Sequence, residues 1–233
     1  MPVSEIAIAR RFCGPPTTGN GGYCAGVLAE ALNAAVEVTL RVPPPLEQPL
    51  QLEHDAVSAR LLHGDQLIAD ARVTSFTLDV PPPPSFADAE ACVTRFAGWK
   101  RHVFPTCFVC GPQRGEGDGL RIFPGPTTDA ALVAAPFVPD ASLVGSDNRV
   151  PPALVWAALD CPGYFAAASG ERAVLGRMSA QLDRLPKVGE RCVVIGWALG
   201  REGRKISAGT ALFDETGVVL GRARQTWITL QPG

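Results

Sequence analysis

One passage of the chain occurs twice. Residues 57–78 (VSARLLHGDQLIADARVTSFTL) and residues 206–230 (ISAGTALFDETGVVLGRARQTWITL) have the same layout, with a turn three residues longer in the second copy. At an offset of 152, Ala71 falls on Ala223, Phe76 on Ile228 and Leu78 on Leu230. Upstream of each lies a helical stretch, and an offset of 130 places Glu30 on Asp160. The order loop, helix, strands therefore appears twice. Each unit is predicted to be one helix with a run of mostly antiparallel strands, whose single apolar face the helix can cover. The expected boundaries are 1–95 for the first unit and 96–233 for a lead-in and the second unit.

Composition narrows the partners. Of 233 residues, 46 % are hydrophobic and 19 % charged, which suits a packed core. Arginine dominates the cations but is scattered, and the net charge is −2. Nothing here follows a phosphate backbone, so no nucleic acid is expected. No apolar run is long enough to span a membrane, and residues 1–12 lack the pattern of a signal peptide. Seven cysteines form no disulfide framework, so the expected compartment is the reducing cytoplasm.

Local patterns place the elements. Residues 12–22 (FCGPPTTGNGG) read as a loop and Tyr23–Ala35 as a helix, in which Gly26 suggests close packing against another element. Strands are predicted at 36–42, 50–53, 56–62 and 66–78. Prolines 81–84 read as a break. Residues 107–120 (CFVCGPQRGEGDGL) have no regular propensity. A strand follows at 130–137, and then a helix at 150–161 entered through prolines and stopped at Pro162. The last strands are predicted at 173–182, 191–199, 205–213 and 218–230.

Two carboxylates lead the candidates for chemistry. Glu30 and Asp160 each sit in a mostly apolar helix, where a carboxylate is costly unless exposed or hydrogen-bonded. Gly22 and Glu30 are about 12 Å apart along one helix, so a helix's first amides cannot serve its own acid. If amides and acid cooperate, two antiparallel helices must be neighbours. The better combination is Asp160 with the amides of Gly21, Gly22 and Tyr23, because Pro151 and Pro152 donate nothing. Asn20 is placed to orient a carbonyl or water there. The mirror combination, Glu30 with the proline end, is electrostatically poorer.

Other motifs say less. Cys107 and Cys110 form a lone C-x-x-C without the four-ligand spacing of zinc sites, so a structural loop is expected and no metal. His54 and His63 read as surface residues. Trp156, Tyr164 and Phe165 surround Asp160 in sequence, either as pocket walls or as core. No nucleophile elbow, P-loop or dinucleotide fingerprint is present.

These residues together resemble an α+β double hotdog protein of the thioesterase superfamily. GNGGYCAGVLAEAL followed by VEVTLRVPPPLEQPL is similar to the first half of thioesterase II-type acyl-CoA thioesterases. CFVCG with Gly119 and Leu120 resembles the segment before the hotdog unit of PaaI-like proteins. Ala158-Leu159-Asp160 is similar to the helix carrying their catalytic acid. GVVLGRARQTWITL resembles the last strand of the thioesterase II type, with Gln225 at the position of a glutamine that holds the attacking water. The resemblance implies two fused units and hydrolysis of an acyl-thioester by a carboxylate, a hydroxyl and a glutamine. The family's threonine has no counterpart around 175–179, where Ser179 is the nearest hydroxyl. The histidine-glycine-glycine of PaaI-like helices is absent from the second unit.

The expected function is hydrolysis of an acyl-CoA or related acyl-thioester without a cofactor. Asp160 is the general base, Gln225 and Ser179 assist, and the amides near Gly21 and Gly22 receive the oxyanion. The alternatives are a non-catalytic acyl-CoA or lipid-binding protein, an acyl-thioester dehydratase or hydratase, and a protein–protein module using an exposed CFVCG loop. Sheet edges leave a homodimer of the whole chain open.

Overall fold

Two helices lying against each other organise the molecule. In the computed structural model, which describes residues 2–32, 34–128, 130–144 and 147–230, α1 (Gly21–Glu30) packs antiparallel against α3 (Pro152–Ala167). Gly22 and Gly26 make this approach close. A Cβ on Gly22 would meet the Asp160 Cβ at 2.5 Å, and one on Gly26 would meet the Ala153 Cα at the same distance. The packing inferred from Gly26 is thus met by α3. From Ala153 to Gly163 every residue of α3 is buried. A helix apolar on all sides must be enclosed, and the sheet encloses it.

That sheet is antiparallel throughout. The first half contributes β1 (Val3–Ile6), β2 (Val36–Leu40), β3 (Leu50–His54), β4 (Ser58–His63) and β5 (Gln66–Val73). A short helix, α2 (Phe86–Val93), precedes β6 (Gly125–Pro126) and β7 (Val133–Phe137). After α3 come β8 (Ala173–Leu182), β9 (Cys192–Glu202), β10 (Lys205–Asp214) and β11 (Val219–Thr229). Among the described residues eleven strands form one sheet in the order β1-β3-β4-β5-β2-β8-β11-β10-β9-β7-β6.

Read outward from the middle, β2, β5, β4 and β3 answer β8, β11, β10 and β9. Ala71 pairs with Val38 and Ala59, while Ala223 pairs with Ala180 and Thr210. Across the central junction Val36 faces Ala180, Val38 faces Met178 and Glu37 faces Ser179. Val38 and Ala180 hold corresponding places, so Glu37 and Ser179 correspond to each other and meet at the centre of this arrangement.

Several boundaries differ from expectation. The helix predicted over 23–35 starts two residues earlier, because Asn20 caps it, and ends at Glu30; residue 33 lies outside the described residues. The helix predicted to stop at Pro162 continues to Ala167. A proline removes one donor and does not end a helix whose surroundings fix the turn. Strand β5 stops at Val73, so Phe76 and Leu78 lie outside the ladder while Ile228 is within it. Helix α2, unforeseen after the proline run, is opened by Ser85, whose side chain accepts the Asp88 amide.

Residues 107–120 form no regular element, as expected, yet their CFVCG part is not an exposed loop. Cys107, Phe108, Val109 and Cys110 are all buried. The Phe108 amide donates to the Cys13 carbonyl, and the Leu120 and Ile122 amides donate to Phe108 and Val109. This burial counts against a protein–protein module built on that loop.

Candidate functional site

Asp160 lies in the middle of α3 at 2 % exposure. Its Oδ2 accepts two hydrogen bonds from the start of α1, from Asn20 Nδ2 at 2.8 Å and from the Gly22 amide at 3.0 Å. Asn20 is also the N-cap of α1, and its Oδ1 accepts the Tyr23 amide at 2.9 Å. One asparagine therefore fixes both the helix start and the carboxylate. The other carboxylate oxygen, Oδ1, is buried and has no hydrogen-bond partner among the described residues. Burial raises the Asp160 pKa from 3.8 to about 7, against the lowering effect of the Gly22 and Asn20 donors.

A cavity of about 510 Å³ opens beside it. Asn20, Gly21, Asp160, Tyr164 and Leu175 line it, with Arg41 and Arg172 among the exposed residues at its edge. Its lining is mainly apolar, as small-molecule pockets are. The Tyr164 hydroxyl donates to the Glu171 carbonyl at 2.7 Å.

The amides expected to polarise a carbonyl are reduced to one. Gly22 is engaged by Asp160 and Tyr23 by Asn20. Gly21 lines the cavity, and its amide has no acceptor among the described residues. It belongs to the first turn of a helix, where no intrahelical acceptor exists. The Tyr23 side chain stacks on Phe12 with ring centroids 4.0 Å apart.

Several expected participants stand elsewhere. Gln225 is buried on the far side of α3, where its amide nitrogen donates to the carbonyls of Leu159 and Asp160 and its oxygen accepts from Trp227 Nε1. It is not part of the cavity wall. It supports the backbone of the turn that carries Asp160. Ser179 faces away from the helices and donates to Glu37 Oε2 at 3.2 Å. Leu175 and Gly176, at the register shift opposite Thr226 and Trp227, line the cavity instead, so this part of β8 brings no hydroxyl to it. Trp156 is core beneath Gly26, and Phe165 packs on Phe96 and lines a separate cavity of about 270 Å³. Neither walls the pocket of Asp160.

Glu30 occupies the mirror position. It is exposed, and its Oε1 accepts the Ala153 amide at 2.9 Å. The next amide inward replaces that of Pro152, which has none.

The residue that the sequence did not bring into view is Cys161. Its Sγ lies 3.8 Å from that of Cys107, and the ligand atoms of Cys107, Cys110 and Cys161 all lie within 4.8 Å of one another. The Cys110 and Cys161 thiols hold the Cys107 thiol well below its ordinary pKa. The only sequence signal was the C-x-x-C itself. Its third member lies one residue beyond Asp160.

No protein-family model matches the sequence, and no curated protein matches it. Solved structures do. The chain is similar to the tesB protein of Mycobacterium avium subspecies paratuberculosis with a TM-score of 0.63 and 13 % identity, over 98 % of this chain and 93 % of that one. It is similar to the acyl-CoA thioesterase II TesB2 of Mycobacterium marinum with a TM-score of 0.63 and 9 % identity, over 99 % and 94 %. A conserved protein with a hot dog fold from Alicyclobacillus acidocaldarius gives 0.57 and 12 %, over 99 % and 94 %. The chain has a mixed α+β hotdog fold. Among the described residues no helix is long and apolar enough to cross a membrane.

Proposed function

We propose that this is a double hotdog protein, one unit ending near residue 95 and the second following, that hydrolyses an acyl-CoA or related acyl-thioester. The observation that carries the reading is the asymmetry of Asp160. One of its oxygens is fixed by Asn20 and Gly22, the other is buried with no partner among the described residues, and Asp160 and Gly21 both line an apolar cavity. That combination pairs a general base with an oxyanion donor. The thioesterases among the similar structures support the choice of substrate class.

In the proposed reaction Asp160 Oδ1 takes a proton from a water as its oxygen bonds to the thioester carbonyl carbon. Negative charge gathers on the carbonyl oxygen, where the Gly21 N–H receives it. The C–S bond then breaks, and the proton held by Asp160 passes to the leaving thiolate. Desolvation suits the base: a carboxylate with a pKa of about 7 is more basic than an exposed one and is still half ionised at neutral pH. The chemistry uses no residue of the first helix's acid, since Glu30 lies in solvent at the other end of the helix pair. Arg172 has no ion-pair partner among the described residues, whereas Arg41 is bound to Asp70 at 2.5 Å. Arg172 is therefore the cation available to a coenzyme phosphate.

The test is thiol release from acyl-CoAs of short, medium, long and aromatic type. Turnover of at least one class supports the reading. Tight binding of an ester recovered intact after long incubation would replace it with a binding protein.

A further inference from the structure

Three thiols meet at the floor of the cavity, and nothing in the proposed hydrolysis uses them. Cys107 and Cys110 come from the buried loop and Cys161 from α3, more than fifty positions away in sequence. All three are free, buried and part of the cavity lining. A C-x-x-C loop folds two sulfurs towards one point, and here the fold supplies a third. The turn is built tightly for it. The Gly111 amide donates to the Cys107 carbonyl at 2.9 Å, and a Cβ on Gly111 would lie 2.6 Å from the Cys107 nitrogen.

The distances suit a tetrahedral ion. Sulfurs bound to zinc at about 2.3 Å stand roughly 3.8 Å apart along the edge of a tetrahedron. Cys107 and Cys161 are already 3.8 Å apart, and the third sulfur is within 4.8 Å of both. Asn20 Nδ2 lies 3.9 Å from the Cys107 sulfur, where an N–H donor orients a metal-bound thiolate. Asp160, the residue preceding Cys161, lines the same cavity but is outside the cluster of three, so it is not counted as a ligand.

We propose that Cys107, Cys110 and Cys161 bind one thiophilic divalent cation, zinc by preference, through three sulfurs, with the fourth coordination position open to the cavity. Each thiol gives its proton to solvent as its sulfur binds, and three thiolates on a divalent ion leave one net negative charge. The ion would join the 107–110 loop to α3 next to Asp160. His102 lines the same cavity, but it lies outside the cluster and is not assigned the fourth position.

The experiment uses the full chain, reduced, stripped with chelator and reconstituted with Zn2+ or Co2+ alone. The expected result is one ion per chain and a cobalt spectrum with thiolate charge-transfer bands and the strong red absorption of tetrahedral Co2+. Cys110→Ser and Cys161→Ser should each weaken binding by more than the roughly 10–100-fold typical of losing an outer partner. Cys192→Ser should leave it unchanged. A cobalt spectrum lacking thiolate bands, zinc retention unaffected by Cys161→Ser, or a disulfide among the three in the intact mass would overturn the proposal. The wild-type cobalt spectrum decides even if a serine variant fails to fold. None of these readings depends on thioesterase activity, so a failure here and a failure of the proposed hydrolysis are told apart.

Discussion

Glu30 does for α3 what Asp160 does for α1: its carboxylate accepts the Ala153 amide at 2.9 Å, as Asp160 accepts that of Gly22 at 3.0 Å. The two contacts differ in setting. Glu30 is exposed, while Asp160 is buried at the wall of the cavity. An exposed carboxylate at a helix start contributes a few tenths of a kcal/mol to about 1 kcal/mol. Glu30→Gln should therefore lower stability by no more than about 1 kcal/mol and leave turnover within a few-fold of wild type. Urea unfolding beside a thiol-release assay checks both. A collapse of turnover would move the base to Glu30.

Gly22 permits the helix contact on which Asp160 depends. A methyl there meets the Asp160 Cβ at 2.5 Å and the Trp156 carbonyl at 2.8 Å, and neither is the loose end of a flexible chain. Overpacking of this kind costs about 1–3 kcal/mol. Gly22→Ala should lower stability in that range despite alanine's better helix propensity, and should lower kcat by displacing the carboxylate. An unchanged melting temperature with full activity would show that the helices separate freely.

Gln225 is predicted to act through the backbone. Gln225→Leu removes the donor to the Leu159 and Asp160 carbonyls and the acceptor for Trp227 Nε1, all of them buried. Unsatisfied buried groups cost about 1–3 kcal/mol each. The expected outcome is a marked loss of stability and a lower kcat whose pH dependence keeps the wild-type midpoint. A shifted midpoint would place Gln225 in contact with the reacting groups.

The sequence revealed the helix pairing better than the partners of the acid. Gly26 in an otherwise good helix suggested close contact, and the missing donors of Pro151 and Pro152 made Asp160 with the α1 amides the stronger combination. Both inferences rest on local chemistry. Gln225, Ser179 and Cys161 depend on what lies opposite them. For Ser179 one step of strand register decides which face it occupies, and the bulge between Thr226 and Trp227 shifts that register. For Cys161 no spacing rule joins a helix residue to a loop more than fifty positions earlier. Helix α3 runs through Pro162 because burial on all sides outweighs one lost hydrogen bond, a tertiary effect that propensity does not contain.

The raised pKa of Asp160 carries a stability cost with a definite sign. In the unfolded chain the group ionises near 3.8, and in the folded chain near 7. Between these values the unfolded state gives up its proton first, so stability falls as pH rises from about 4 to about 7 and then levels off. The full difference is on the order of 4 kcal/mol. Measured on chelator-treated protein, Asp160→Asn should be more stable than wild type at pH 8 and close to it at pH 4. Parallel melting curves across that range would mean that the carboxylate is not held in a desolvated site.

The most direct measurement is kcat/KM of wild type and Asp160→Asn on the best acyl-CoA substrate, across pH 5 to 9. Wild-type kcat/KM is predicted to rise with pH through a midpoint near 7, as the base becomes ionised. Asp160→Asn should lose at least about a hundredfold and the midpoint with it, since general-base assistance is worth 10²–10⁴. A variant that keeps both the rate and the midpoint would contradict the assignment of Asp160 as the base.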